Sequence, residues 1–334
     1  MQDKIKNLEK RPKISVIILT YNRAKLLPGA IKSVLNQTFS DFELIIINNA
    51  STDNTEEVIK SFNDPRIIYK ENTENNVLRA RNIGFDLASG KYVVPLDDDD
   101  EFLPDALETI SNKFAELSPK GVKILFFDSI DVESGEYSGY GIREEGYVSY
   151  KDYLCDKIKG DYVLAICRDT IGNNRFNPDS WGAMQDTLFM KLYRNNKIFY
   201  TPKIVRKMYR EHGSRISHPE VSLLNNIKPI VISLKDFLEE HGEELKIFCP
   251  KCYGQRLAFL GSYQILNGDK QEGRNNVLKS FKFHFSFAHC SMLFLSFILN
   301  KNQTKFFYLL FLKVKKSILR FIKLISSKDN YVRA

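Results

Sequence analysis

Between residues 14 and 127 the sequence alternates short runs of aliphatic and β-branched residues with segments of helical spacing. Residues 14–19 (ISVIIL), 43–47 (ELIII), 66–69, 92–96 (YVVPL) and 122–127 read as strands, the first two apolar enough to be buried on both faces. Residues 26–35, 53–62, 76–88 and 104–117 read as helices, the last with Pro104 at its first turn. Alternating units of this length predict an α/β fold with a doubly wound, mostly parallel sheet flanked by helices. Ligands of such sheets sit beyond the carboxyl ends of the strands. Polar blocks stand at those ends: residues 20–23 (TYNR), 48–53 (NNASTD) and 97–100 (DDDD).

The pattern changes further along. Residues 137–215 mix helical pieces at 149–158 and 183–195 with short strands near 162–167 and 198–210. After Pro219 the spacing is helical nearly to the end, with an antiparallel pair, 254–267 and 270–283, joined at Gly268-Asp269. A boundary is expected near residue 218. It separates a domain of strands and helices (1–218, with parts at about 13–105 and about 120–218) from a helical region (219–334).

Charge is distributed unevenly. The formal net charge is +8, and residues 301–334 hold nine Lys/Arg and one Asp, so the tail carries the whole excess. A nucleic-acid-binding body would spread basic residues over its own surface, so nucleic acid is not expected as a partner. The five cysteines (155, 167, 249, 252, 290) are odd in number and irregularly spaced, which argues against a disulfide framework and suits a reducing compartment. The first 13 residues are charged and lack an apolar stretch, so no signal peptide is readable and the body is expected in the cytoplasm.

The acidic run, Asp97-Asp98-Asp99-Asp100, is the strongest chemical feature. Four adjacent carboxylates disfavour one another's ionisation, and a divalent cation removes that penalty. Mg²⁺ and Mn²⁺ take oxygen ligands, and Mg²⁺ is usually held by one or two carboxylates plus substrate phosphates. The competing reading is a solvated acidic loop at the start of the next helix.

Residues 13–105 resemble the catalytic core of the family 2 glycosyltransferases, which have the GT-A fold. The resemblance rests on KISVIILTYNRAKLLPGAIKSVLNQTFSDFELIIINNASTDNT and RARNIGFDLASGKYVVPLDDDDEFLPDAL, in that order and spacing. It implies an inverting transfer of a sugar from a nucleotide sugar to an acceptor hydroxyl, with a nucleoside diphosphate leaving. Thr20, Tyr21 and Arg81 match nucleotide-contacting positions. Asp97-Asp98-Asp99 matches the Asp-x-Asp signature, with Asp97 and Asp99 assigned to Mn²⁺ or Mg²⁺ and the diphosphate, and Asp98 to the ribose. Asp186, in FNPDSWGAMQDTLFM, aligns with the general base, although the usual preceding Glu is Gln185. The alternative is a helix cap. His212, in YREHGSRIS, is a candidate metal or diphosphate contact, and Arg210 and Arg215 are candidate phosphate contacts.

Two departures matter. Many relatives carry an acidic pair where this chain has Asn48-Asn49. Asn49 is assigned to the base, but an amide donates as well as accepts, so uridine is favoured and guanosine or thymidine stays open. Cys249-Pro-Lys-Cys252 lacks a second ligand pair and is not read as zinc.

The tail predicts an amphipathic helix over 304–325. Phe307, Phe311, Val314, Ile318, Phe321 and Ile325 fall on one face, and Lys313, Lys316, Arg320 and Lys323 on another. That pattern fits an interfacial helix on anionic lipid and a peripheral position on the inner face of the cell membrane; packing against protein is the alternative. The function expected is sugar transfer from a nucleotide-sugar donor, UDP-linked by the favoured base, to a glycan or lipid-linked acceptor in cell-surface polysaccharide synthesis. A metal-dependent nucleotidyltransferase and a non-catalytic sugar-nucleotide-binding protein stay open as alternatives.

Overall fold

The computed structural model describes residues 11–182, 186–209, 225–300, 302–303 and 306–308. The chain divides into two compact units, Met1–Gly213 and Ser214–Ala334. In chain order the first unit contains β1 (Ile14–Thr20), α1 (Leu27–Leu35), β2 (Phe42–Asn49), α2 (Thr55–Lys60), β3 (Ile67–Asn72), α3 (Val77–Leu87) and β4 (Tyr92–Asp97). A two-residue β5 (Glu101–Phe102), α4 (Ala106–Leu117) and β6 (Val122–Asp131) follow. Then come β7 (Gly139–Tyr140), β8 (Gly146–Val148), α5 (Tyr150–Leu154), β9 (Lys159–Gly160), β10 (Val163–Cys167), α6 (Arg168–Ile171), α7 (Asp186–Arg194) and β11 (Lys197–Met208).

The main sheet runs β3-β2-β1-β4-β10-β6-β11-β5, with β8 also on β11. Strands β3, β2, β1 and β4 are mutually parallel, as the alternating pattern predicts. The second half departs from that expectation. β10 lies antiparallel between β4 and β6, and β5 and β8 are antiparallel to β11, while β6 and β11 are parallel. The physical reason is that β10 is entered from a loop rather than from a crossover helix, and only crossovers enforce parallel pairing.

Alternation along each strand sends side chains to both faces of the sheet. Val16, Ile18, Leu44, Ile46 and Val94 meet Leu27, Ile31 and Val34 of α1 and Ile110, Phe114 and Leu117 of α4. Each such burial contributes roughly 1.5–3 kcal/mol. Tyr92 and Phe114 stack with ring centroids 3.8 Å apart. On the opposite face Ile17 meets α3 at Gly84, where an added Cβ would lie 2.7 Å from Ile17 Cγ2. The absence of a side chain at Gly84 thus lets α3 rest directly on the Ile17 side chain.

The amino ends of the strands are tied by a buried carboxylate. Glu43 accepts from Ser15 Oγ at 2.5 Å, from Ser89 N at 2.7 Å and from Ser89 Oγ at 2.9 Å. The carboxyl ends are consequently left for the site.

The second unit is helical where described: α8 (Ile227–Phe248), α9 (Pro250–Asn267), α10 (Lys270–Ser280) and α11 (Phe287–Ile298). The predicted pair at Gly268-Asp269 is present as α9 and α10, and Gly268 closes α9 at φ 108°. Gly261 and Gly273 let these helices approach: a Cβ on Gly261 would lie 2.5 Å from the Gly273 carbonyl oxygen. Cys249 and Cys252 are disulfide-bonded, a local bridge where the cysteine pattern argued against a disulfide framework. A three-residue step at the head of α9 brings their Cα atoms to 5.3 Å, within bridging reach.

Candidate active site

The three polar blocks converge at the carboxyl ends of β1, β2 and β4. Register places Asp97 beside Leu19 and Thr20 beside Asn48. The turn after β1 needs a residue in the left-handed region, and Asn22 takes φ 52° there. Its side-chain oxygen accepts from Thr52 N at 2.7 Å and from Asp53 N at 3.3 Å, and its own N–H donates to Ser51 Oγ at 3.0 Å. Arg23 N donates to Thr55 Oγ1 at 3.1 Å. The loops after β1 and β2 are thus one stitched wall, with Tyr21 partly open to solvent on it.

Asn49 is used differently from the expectation. Its oxygen accepts from Asn72 Nδ2 at 2.7 Å and from Asn76 N at 3.1 Å, and its Nδ2 donates to Asn75 Oδ1 at 3.0 Å. It ties β2 to the turn after β3, which leaves one amide hydrogen for a ligand. Asn76 caps α3 by accepting from Leu78 N and Arg79 N at 3.1 and 2.9 Å. That cap fixes the helix that carries Arg81.

The acidic run turns sharply at the end of β4, with Asp100 N donating to Asp97 O at 3.2 Å. β5 then pins it by pairing with β11 at Arg206 and Lys207. Arg206 is buried, and its guanidinium lies 3.2 Å from Asp100 Oδ2, 3.8 Å from Asp97 Oδ2 and 3.0 Å from Asp161 Oδ1. It also donates to Ser129 Oγ and to the Asp161 carbonyl, both at 2.9 Å. On the other side Arg23 stands 4.0 Å from Asp98 and 3.8 Å from Asp99.

These contacts set the protonation of the run. Burial pushes Asp98 up to about 6 and Asp100 up to about 8, against the opposing charges of Arg23 and Arg206. Asp97 is also raised, by loss of water and by Asp161, while Arg206 and Arg81 pull it down; more than half of its side chain stays open to solvent, which limits the first effect. Burial works against the charge of Arg81, and Asp97 and Asp161 support it. Arg81 Nε has no hydrogen-bond partner among the described residues. Arg81 and Asp97 face a small pocket with Ile17, Leu19, Phe85, Pro95 and Leu96.

Thr20, Arg81 and Asp97–Asp99 are therefore brought to one place. Asp186 is the first residue of α7, and its side chain lies outside the described residues. The segment leading toward that helix is docked on α3, through Asn82 Nδ2 to Phe176 O at 2.9 Å and Asn76 Nδ2 to Pro178 O at 2.8 Å. Gln185, Arg210, His212 and Arg215 lie outside the described residues. Sequence reading missed Arg23, Arg206 and Asp161. Arg23 was visible inside a strand-end block; Asp161 and Arg206 had no local signal, since only the antiparallel insertion of β10 beside β4 and the pairing of β11 with β5 bring them to the acidic run.

Among the described residues no three His, Cys, Asp or Glu side chains form a cage that could hold a cation by themselves. The donor set still suits a hard divalent cation shared with a phosphate ligand. Five carboxylates (Asp97–Asp100 and Asp161) face three guanidiniums (Arg23, Arg81, Arg206), an excess of two negative charges when all are ionised. One divalent cation would balance it.

A pH test follows from the sign of the shifts. The folded state binds more protons than the unfolded state wherever Asp98 and Asp100 sit above their usual value of 3.8. Stability of the cation-free protein should therefore fall as pH rises from about 4 through 8. Added Mn²⁺ should raise Tm more at pH 8 than at pH 6, because the cation competes with those protons. Equal increments at the two pH values in thermal denaturation would remove the run as the cation site.

Residues 15–176 match the family described as Glycosyl transferase family 2. A Campylobacter jejuni protein named GalNAc(5)-diNAcBac-PP-undecaprenol beta-1,3-glucosyltransferase is 37% identical over 207 residues, covering 60% of this chain and 65% of the relative. The putative colanic acid biosynthesis glycosyl transferase WcaA of Escherichia coli is 40% identical over 103 residues, covering 30% of this chain and 37% of the relative. The chain thus spans just under two thirds of the first of these relatives and about a third of the second. The Staphylococcus aureus TarS 1–349 structure in complex with UDP-GlcNAc superposes with a TM-score of 0.58 at 17% identity, covering 81% of this chain and 89% of that one. That last likeness concerns the fold. Residues 15–176 of this chain thus match glycosyl transferase family 2 in sequence, and the chain shares its fold with TarS.

Proposed function

We propose that the chain is an inverting glycosyltransferase that moves a sugar from a UDP-sugar to a hydroxyl of a glycan or lipid-linked acceptor. The observation that carries this reading is the cluster at the end of β4, where five carboxylates meet three guanidiniums beside the pocket lined by Arg81. Nucleotide transfer uses similar groups, but the family match favours sugar transfer. The Campylobacter relative is named for an undecaprenol-linked glycan, and TarS is described with UDP-GlcNAc; both support the donor and acceptor classes.

In this reading Thr20, Tyr21 and Arg81 hold the nucleotide, with the remaining Asn49 N–H beside them. Asp98 takes the ribose. Asp97 and Asp99 hold Mn²⁺ or Mg²⁺ against the diphosphate, with His212 as a further candidate ligand. When bound, the cation supplies charge stabilisation for the departing diphosphate. Arg81 contributes a fixed positive charge to the same end without reorganisation. Asp186, at the head of α7, takes the proton of the acceptor hydroxyl as it attacks the anomeric carbon.

The segment 304–325, of which only 306–308 fall within the described residues, is proposed to lie on anionic lipid at the inner face of the membrane, where a lipid-linked acceptor would be reached. No helix of the described residues is long and apolar enough to cross a membrane.

The test is a panel of nucleotide sugars with Mn²⁺ or with EDTA, read as release of nucleoside diphosphate. Release of pyrophosphate instead would assign a nucleotidyltransferase. Asp186→Asn should lower kcat by about 10²–10⁴-fold with donor affinity unchanged. Full turnover by that variant would dismiss the base assignment.

A further inference from the structure

Among its described residues the second unit exposes an aromatic face on one helix. Helix α11 carries no formal charge, nor does any residue from Phe283 to Asn300. One side of it is packed: Met292 and Ser296 are buried, His289 Nδ1 lies 3.0 Å from Ser262 Oγ, and Arg274 Nε donates to Ser296 Oγ at 2.9 Å. The other side holds Phe287 (80% exposed), Phe294 (64%), Phe297 (63%) and Ile298 (64%). At about 100° per residue these four fall within roughly a third of the helix circumference. Phe285, just before the helix, is also exposed. A monomeric surface seldom leaves so many large apolar side chains contiguous in water unless they meet a partner or a membrane.

We infer that this face of α11 lies in the interfacial layer of an anionic membrane. The length decides between lying on and crossing: 12 residues span about 18 Å, short of the roughly 30 Å of a hydrocarbon core. Charge decides the kind of surface. From Lys279 to the end the sequence has eleven Lys/Arg against one acidic residue, Asp329. Lys279 and Lys282 are exposed in the stretch preceding the helix, and Arg274 stacks on the Phe297 ring at 3.9 Å, so a cation meets the aromatic face. An apolar strip bordered by basic groups complements acyl chains beneath anionic headgroups. The inference deepens the membrane reading given above, but it moves the apolar contact from the tail helix to α11.

The test is flotation of the full chain with phosphatidylcholine vesicles and with vesicles containing about a third phosphatidylglycerol. The variants are Phe287→Ser/Phe294→Ser/Ile298→Ser together and, separately, a chain ending at Asn300. The triple variant should keep its circular dichroism and its nucleotide-sugar hydrolysis while losing at least tenfold in partitioning onto both vesicle types. Binding of the wild type to the anionic vesicles should weaken with salt. Unchanged partitioning of the triple variant would overturn the inference. So would a wild-type dimer in vesicle-free buffer that the triple substitution dissociates, since the face would then join two copies. Stronger vesicle binding by the shortened chain would also overturn it, by showing that the tail covers the face. Absence of nucleotide-sugar turnover in the wild type would instead defeat the transfer reading and leave the vesicle result standing.

Discussion

Asp97→Asn should abolish most sugar transfer while leaving the fold at least as stable as before. Asp97 stands at the very end of β4, open to the pocket that Arg81 lines. In the proposed reading the amide keeps the shape but removes the negative charge that would hold a divalent cation against the departing diphosphate. Loss of one such stabilising group lowers kcat by about 10²–10³-fold in comparable sites. Stability should move the other way. Asp97 is held above its ordinary range partly by the like charge of Asp161, so neutralising it relieves repulsion in the cation-free protein. The measurable signature is a pair of opposite changes: kcat falls, and the Tm of the cation-free protein at pH 8 holds or rises. The Tm increment from Mn²⁺ should also disappear. Undiminished, Mn²⁺-dependent turnover by Asp97→Asn would refute the assignment.

The parallel half of the fold was legible because its signals are local. Runs such as ISVIIL and ELIII, alternating with segments of helical spacing, suit strands buried on both faces, and β1 and β2 are buried so. Boundaries slipped where polar residues extend a strand past its apolar run. β2 continues through Asn48 and Asn49, and β4 continues past Pro95 to Asp97, because parallel pairing with β1 persists to the strand end. The acidic run was equally visible, since four adjacent carboxylates need a reason.

What was not legible depends on tertiary order. Asp161 follows Gly160 in a loop, and Arg206 sits in a strand of mixed polarity, IVRKM. Nothing near either residue points to Asp97 or Asp100. Their meeting requires β10 to run antiparallel beside β4 and β11 to pair with β5, neither of which has a periodic signal. Asn49 shows the reverse case. Its type and position matched a ligand contact, yet most of its hydrogen-bonding capacity goes to Asn72, Asn75 and Asn76.

Arg206→Met should show how much the site depends on that hidden arrangement, with an effect that grows with pH. Removing one partner of a buried ion pair costs about 3–5 kcal/mol when the other is left charged. Asp100, however, is already pushed up to about 8 with Arg206 beside it. Below that value Asp100 holds its proton and loses little when the guanidinium goes. Asp161 is half exposed and can recover water. Near pH 6 the destabilisation should therefore stay well under that range. Above pH 8 the wild-type carboxyl ionises against Arg206, so its own pH slope ends there. In the variant the carboxyl stays protonated to still higher pH, and stability continues to fall. The difference between the two proteins should approach the full figure only on that alkaline side. Adding Asp100→Asn to Arg206→Met should remove most of the alkaline loss. Arg206→Lys should be intermediate, because one ammonium cannot serve Asp100, Asp161 and Ser129 with the geometry of a planar fork. Chemical denaturation at pH 6 and pH 9 measures all three, and parallel pH dependence of wild type and Arg206→Met would show that Arg206 does not set the protonation of the run.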